Sequence, residues 1–207
     1  MRVALMGGTF DPPHIGHLLA ASDACDHLQL DRLVFVPASQ QPLKQHQASA
    51  AASHRLRMLQ LMVEGDSRFA VDEIEIQRTG LSFTVDTLAE YERRFPDSER
   101  FFLLGIDAFD LLDQWREPAR VVSLAHLVVL TRVTGQGAMN ADASLEAVSE
   151  RVRAIGGSAA STPRLLEPRR VDVSSTEVRA RVRAGKPIRG FVTDAVAQYI
   201  EFNGLYR

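Results

Sequence analysis

Short unbroken apolar runs recur along the chain, separated by stretches whose apolar residues fall at helical spacing. Residues 2–6, Leu33-Val34-Phe35-Val36, Phe101-Phe102-Leu103-Leu104 and Leu127-Val128-Val129-Leu130 read as strands buried on both faces, the second ended by Pro37. Helices are predicted from about Gly16 to Leu28, over a segment carrying Leu56, Met58, Leu59 and Met62 with Ser53 as its cap, and over 84–95 and 107–116. Asp72-Glu73-Ile74-Glu75-Ile76 reads as a strand, followed by a glycine turn at Gly80 and a helix capped by Thr84. A last strand is expected near 164–171, then helices over about 175–184 and 193–203, the second stopped by Asn203-Gly204. Residues 37–52, 134–142 and 156–163 have the composition of loops. Strands alternating with helices predict an α/β doubly wound parallel sheet, with ligands beyond the carboxyl ends of its strands. We divide the chain into one α/β domain over 1–170 and a small C-terminal helical subdomain over 171–207 packed on it.

Composition narrows the function classes. With 207 residues and 45% hydrophobic content the chain can fill a core, so disorder is not expected. A net charge of -2 argues against a protein that coats a nucleic acid, though not against a local basic pocket. The single cysteine, Cys25, makes neither an intramolecular disulfide nor a zinc framework, and a buried thiol is the expectation. The apolar opening stops at a glycine pair, and no stretch nears the roughly 20 apolar residues of a membrane span. A cytoplasmic protein, bound neither to membrane nor to nucleic acid, is expected.

The first strand runs into Gly7-Gly8-Thr9-Phe10-Asp11-Pro12-Pro13-His14-Ile15-Gly16-His17. The glycines permit a sharp bend and close approach of a ligand to the main chain. The helix that follows turns its unpaired N–H groups back toward the loop, which favours an anion. His14 and His17, three residues apart near the first helical turn, can donate to phosphate oxygens as charge builds during phosphoryl transfer. A metal pair is the other use of two such histidines, but no neighbouring ligand completes a set.

Near the end of the chain, Val173-Ser174-Ser175-Thr176-Glu177-Val178-Arg179 gathers comparable chemistry. Ser174 and Glu177 have capping-box spacing, and Ser175 and Thr176 lie about one turn before Arg179. Two hydroxyls, exposed N–H groups and a guanidinium at one helix N-terminus suit a triphosphate. By these residues alone a well-capped surface helix is an equal reading, with Arg181 and Arg183 on its solvated face.

These motifs resemble the nucleotidyltransferases with the HxGH signature, most nearly the bacterial nicotinate-nucleotide adenylyltransferases, in ordered pieces over nearly the whole chain. The resemblance implies a Rossmann-like sheet and transfer of AMP from ATP to nicotinate mononucleotide, giving deamido-NAD and pyrophosphate. It casts His14 and His17 as the catalytic, phosphate-binding histidines and Ser175, Thr176 and Arg179 as a second phosphate motif. Gly7, Gly8, Thr9, Phe10, Gly105 and Asp107 complete the expected ATP site. Gly105 and Asp107 follow a strand directly, a place suited to ribose hydroxyls. Phe83-Thr84 stands where the family has Tyr-Thr receiving the pyridine carboxylate, and Trp115 where an aromatic stacks on the pyridine ring; by itself a lone tryptophan reads as core. Lys44 and Arg132 resemble the family's phosphate-reaching cations, although Val133-Thr134 replaces the common Pro-Gly after Arg132. Mg²⁺ is expected to arrive with ATP, no permanent metal site being visible, and a homo-oligomer is left open. The rivals are transfer to nicotinamide mononucleotide or phosphopantetheine, a non-catalytic nucleotide sensor, and an aminoacyl-tRNA synthetase. The last shares His14-Ile15-Gly16-His17 but needs a Lys-Met-Ser-Lys-Ser-like sequence that is not present.

Overall fold

The computed structural model describes residues 1–40, 50–78, 80–131, 144–169 and 171–207. Its sheet is built from β1 (Arg2–Gly8), β2 (Arg32–Pro37), β3 (Phe69–Val71), β4 (Glu99–Gly105), β5 (His126–Leu130) and β6 (Arg164–Leu166). Every pairing is parallel and the order is β3-β2-β1-β4-β5-β6, the doubly wound arrangement expected from the alternation.

The four long apolar runs are β1, β2, β4 and β5, and their side chains alternate strictly between two cores. Ala4, Met6, Leu33, Phe35, Phe101, Leu103, Val128 and Leu130 point to one face. There they meet α1 (Ile15–Leu28), α2 (Ala52–Val63), α8 (Ser175–Arg183) and α9 (Asp194–Phe202) through residues such as Ala21, Met58, Val178 and Ile200. Val3, Leu5, Val34, Val36, Phe102, Leu104, Leu127 and Val129 point to the other face. That face is covered by α3 (Ile74–Gln77), α4 (Thr84–Arg94), α5 (Ile106–Phe109), α6 (Pro118–Leu124) and α7 (Leu145–Gly156). Each fully buried Leu or Phe in these layers contributes about 1.5–3 kcal/mol relative to exposure. Because α8 and α9 share a core with α1 and α2, the end of the chain is braced against the helix that opens with His14 and His17. Cys25 is a buried free thiol within that core, its ionisation pushed up to about 11 by burial. Among the described residues no helix is long and apolar enough to cross a membrane.

Several elements differ from expectation. The stretch 72–76 is not a strand: Asp72 Oδ1 accepts from the Ile74 N–H at 3.0 Å and turns the chain into α3, burying Ile74 and Glu75. The helix expected over 107–116 is α5 followed by a 3₁₀ turn at Leu112–Gln114. Ile106, Phe109, Leu112 and Trp115 recur every third residue and all pack in one core, a spacing that a three-residue turn aligns better than an α-helix. Ser53 does not cap α2, whose N-cap is Ala51, and Phe83 rather than Thr84 is the N-cap of α4. Helices α6 and α7 were not foreseen. Pro118 opens α6 in the position where proline's missing N–H is harmless, and Ser144 caps α7 by accepting from the Ala147 N–H at 3.1 Å.

Candidate active site

β1 lies between β2 and β4, and the connections leaving β1 and β4 pass to opposite faces. A crevice therefore opens beyond their carboxyl ends, and the β1–α1 loop occupies it. Gly7 is exposed at this edge. Phe10, held at φ 51°, turns its ring inward against Phe35 (centroids 5.8 Å apart) and His17 (5.0 Å). A side chain at Gly8 would put its first carbon 3.0 Å from that ring, so Phe10 would have to give way by a few tenths of an ångström.

His14 is the N-cap of α1 and His17 its third residue. Their rings stack with centroids 3.7 Å apart and planes 29° from parallel. The His14 backbone N–H donates to His17 Nδ1 at 3.2 Å. Since a main-chain N–H can only donate, Nδ1 is the acceptor and the proton of the neutral ring is assigned to Nε2. His17 is thus set to give a hydrogen bond through Nε2. Gly16 makes the stack possible: a methyl there would lie 3.0 Å from His14 Nδ1 and 3.1 Å from its Cε1. We expect Gly16→Ala to lower turnover severalfold by tilting the His14 ring, with the melting temperature unchanged or higher because alanine favours helix. Parallel rate and melting measurements check this; equal loss of both would contradict it.

The α8 motif lies against the same loop. Ser174 caps the helix by accepting from the Glu177 N–H at 3.1 Å. Ser175 Oγ donates to the Pro12 carbonyl at 2.8 Å, and Arg179 Nη1 donates to the Asp11 carbonyl at 2.7 Å. Arg179 Nη2 reaches Thr176 Oγ1 at 3.3 Å. The surface-helix reading of this motif is therefore wrong in part, for two of its side chains brace the loop that carries His14. The Ile15 N–H, first in α1, donates to the Phe191 carbonyl at 2.9 Å. Arg181 is not simply solvated either: it donates to the Pro187 carbonyl at 2.8 Å and lies 4.2 Å over the Phe191 ring.

Asp11 of the opening motif and two residues that sequence reasoning passed over, Arg55 and Tyr206, organise this loop. Arg55, 3% exposed, donates to the carbonyls of Thr9 (2.8 Å), Ala38 (2.7 Å), Ser39 (3.1 Å) and Ala50 (3.1 Å). Burial pulls its ionisation down, and the nearby Asp11 charge opposes that. Asp11, 5% exposed, accepts at Oδ1 from the Tyr206 hydroxyl (2.6 Å) and the Ala50 N–H (3.1 Å). Its Oδ2 lies 4.0 Å from Arg179 Nη1.

Phe83 and Trp115, expected at the acceptor, pack against the core on the other face of the sheet. Of the residues expected at the ATP site, Gly105 closes β4 and Asp107 is exposed in the first turn of α5. Trp115 packs edge-on to Phe102, centroids 6.0 Å apart, and Arg116 lies 4.9 Å over the Phe83 ring. The Phe83–Thr84 and Trp115 segments are thereby joined through Arg116. Ser82 ties this region to β2: its Oγ accepts from the Ser39 N–H and its N–H donates to the Gln40 carbonyl, each at 2.9 Å. Beneath it, burial pushes the Glu75 carboxyl up, against hydrogen bonds from Thr87 and Ser82 and the charge of Arg78. Lys44 and Arg132 lie outside the described residues.

Paired imidazoles, hydroxyls and a guanidinium thus gather around one loop of a doubly wound sheet, a donor set suited to phosphate. The cytidylyltransferase-like family model matches residues 5–181. A protein of Gemmatimonas aurantiaca described as "Probable nicotinate-nucleotide adenylyltransferase" is 48% identical over 212 residues, covering 100% of this chain and 93% of that one. One of Thermus thermophilus with the same description is 42% identical, covering 100% of both chains. The fold matches that of Plasmodium falciparum nicotinic acid mononucleotide adenylyltransferase complexed with NaAD, with a TM-score of 0.77 over 99% of this chain and 97% of that chain at 16% identity. The chain belongs to the cytidylyltransferase-like family and, within it, to the nicotinate-nucleotide adenylyltransferases.

Proposed function

We propose that this protein transfers AMP from ATP to nicotinate mononucleotide, releasing pyrophosphate and forming deamido-NAD. The observation that carries the chemistry is the convergence of His14, His17, Ser175 and Arg179 on the β1–α1 loop. The choice of acceptor is supported by full-length relatives described as nicotinate-nucleotide adenylyltransferases.

In this reading the 5′-phosphate oxygen of the acceptor attacks the α-phosphorus of ATP in line. One P–O bond forms there as the bond to the β-phosphate oxygen breaks, and pyrophosphate departs with that electron pair. The acceptor phosphate is mostly ionised at neutral pH, so no general base is needed. His17, presenting its Nε2 proton, and His14 stabilise charge on the α-phosphoryl oxygens, while Arg179, Ser175 and Thr176 face the departing end. The donor set of imidazoles, hydroxyls and guanidinium suits an anion rather than a bare cation. Mg²⁺ is therefore part of the substrate, riding on the triphosphate. Phe83, Thr84 and Trp115 take the pyridine ring, Gly105 and Asp107 the ribose, and Lys44 and Arg132 bind phosphate. Residues 171–207 form the helical subdomain that brings Ser175–Arg179 to the domain of residues 1–170, and the cytoplasm is where this activity operates.

Pyrophosphate release is the test, with Mg²⁺, ATP and nicotinate mononucleotide, nicotinamide mononucleotide or phosphopantetheine in parallel. Nicotinate mononucleotide is expected to give the largest kcat/KM. A larger value with either other acceptor would reassign the substrate, and no release with any would leave a nucleotide sensor.

A further inference from the structure

The turn after α9 reaches back to the phosphate loop through one hydroxyl. Tyr206 sits in the left-handed region, at φ 66°, a backbone conformation uncommon for a residue with a bulky side chain. There its ring is half-buried and its hydroxyl meets Asp11 Oδ1 at 2.6 Å, 195 residues away in sequence. Burial and the adjacent Asp11 carboxylate push ionisation of this phenol far up, so it keeps its proton and remains a donor.

Asp11 stands at the centre of the loop's support. The same Oδ1 takes the Ala50 N–H, its Oδ2 faces Arg179 at 4.0 Å, and its main-chain carbonyl accepts from Arg179 at 2.7 Å. The residue is three positions before His14. Any rotation of the Asp11 side chain or peptide is therefore transmitted both to the imidazole pair and to the guanidinium. Arg55 holds Thr9, two residues before Asp11, and also donates to the carbonyls of Ala38 and Ser39 after β2 and of Ala50 before α2, so it fixes where the loop begins. Nothing comparable to Tyr206 holds Asp11 from the α9 side among the described residues.

We propose that Tyr206 is a positioning residue for phosphoryl transfer. Its hydroxyl fixes the Asp11 carboxylate and so sets the spacing between the His14–His17 pair and Arg179. The kinetic part rests on the AMP-transfer reading above; the structural part does not. Tyr206→Phe removes only the hydroxyl and leaves the ring in place. In that variant we expect kcat to fall about tenfold, a size in keeping with small displacements of catalytic groups. The KM for the acceptor nucleotide should stay within twofold, because among the described residues no acceptor residue touches Asp11 or Tyr206.

Hydrogen exchange of backbone amides in residues 9–17, compared between wild type and Tyr206→Phe, gives a second readout that needs no turnover. Faster exchange confined to that segment is expected. Unchanged exchange would overturn the proposal, as would a lowered melting temperature with both kinetic constants intact, which is what a merely structural contact would give. A rise in acceptor KM alone would overturn it too. If wild type releases no pyrophosphate with any acceptor, the AMP-transfer reading fails, and the exchange comparison still decides whether Tyr206 sets the loop.

Discussion

Replacing His17 by alanine is expected to lower kcat for pyrophosphate release by about 10²–10³-fold, the effect of removing one preorganised donor from a developing negative charge. The Nδ1 of His17 accepts from the His14 N–H, which restrains the ring and leaves the proton of the neutral ring on Nε2. The same substitution removes an interaction at the N-cap of α1, which costs stability by about 1 kcal/mol. For a chain of this size that corresponds to roughly 2–4 °C in melting temperature. Turnover should thus collapse in a protein that remains folded at 25 °C, as circular dichroism would report. A folded His17→Ala variant within tenfold of wild-type kcat would remove His17 from the chemistry.

Replacing Arg55 by alanine has its largest effect on folding. Four main-chain carbonyls, of Thr9, Ala38, Ser39 and Ala50, lose a charged donor in a place that water reaches poorly. Each unsatisfied buried acceptor costs about 1–3 kcal/mol before relaxation, and losing one partner of a buried charged network typically costs about 3–5 kcal/mol in all. The melting temperature should drop by roughly 10 °C. Arg55→Lys should recover only part of it, because one ammonium cannot span carbonyls from three segments as a planar fork does. A melting temperature within about 2 °C of wild type for Arg55→Ala would show that the carbonyls find other partners.

The contrast between these two residues explains what was legible in the sequence. His14 and His17 sit in a local string whose glycines, prolines and histidines each have a part in one turn, so spacing alone exposed them. Ser174, Ser175, Thr176 and Arg179 were legible for the same reason. Their meeting with the β1–α1 loop is a tertiary event that motif spacing does not encode. Arg55 lies on an amphipathic helix with Met58, Leu59 and Met62, where an arginine ordinarily reads as the wet face. Only the non-local carbonyls of Thr9, Ala38 and Ser39 turn it inward. Tyr206 was silent because its partner is Asp11.

Fold legibility followed the same division. β1, β2, β4 and β5 are buried on both sides and read as unbroken apolar runs. Of the edge strands, β3 has three residues, too few to show a pattern, while the last strand, expected near 164–171, keeps only Arg164–Leu166 as β6. Ile74-Glu75-Ile76 mimics strand alternation, yet the chain turns helical there and buries Glu75 against Thr87 Oγ1 at 2.7 Å. A two-residue period over so short a stretch is satisfied equally by a helical turn.

The most direct test of AMP transfer follows the α-phosphorus of ATP. With ATP labelled at that atom, Mg²⁺ and nicotinate mononucleotide, the label should appear in a dinucleotide with deamido-NAD's mass, and unlabelled pyrophosphate should form in equal amount. Label recovered only as AMP or unreacted ATP, with no dinucleotide formed, would contradict the assignment of this loop to adenylyl transfer.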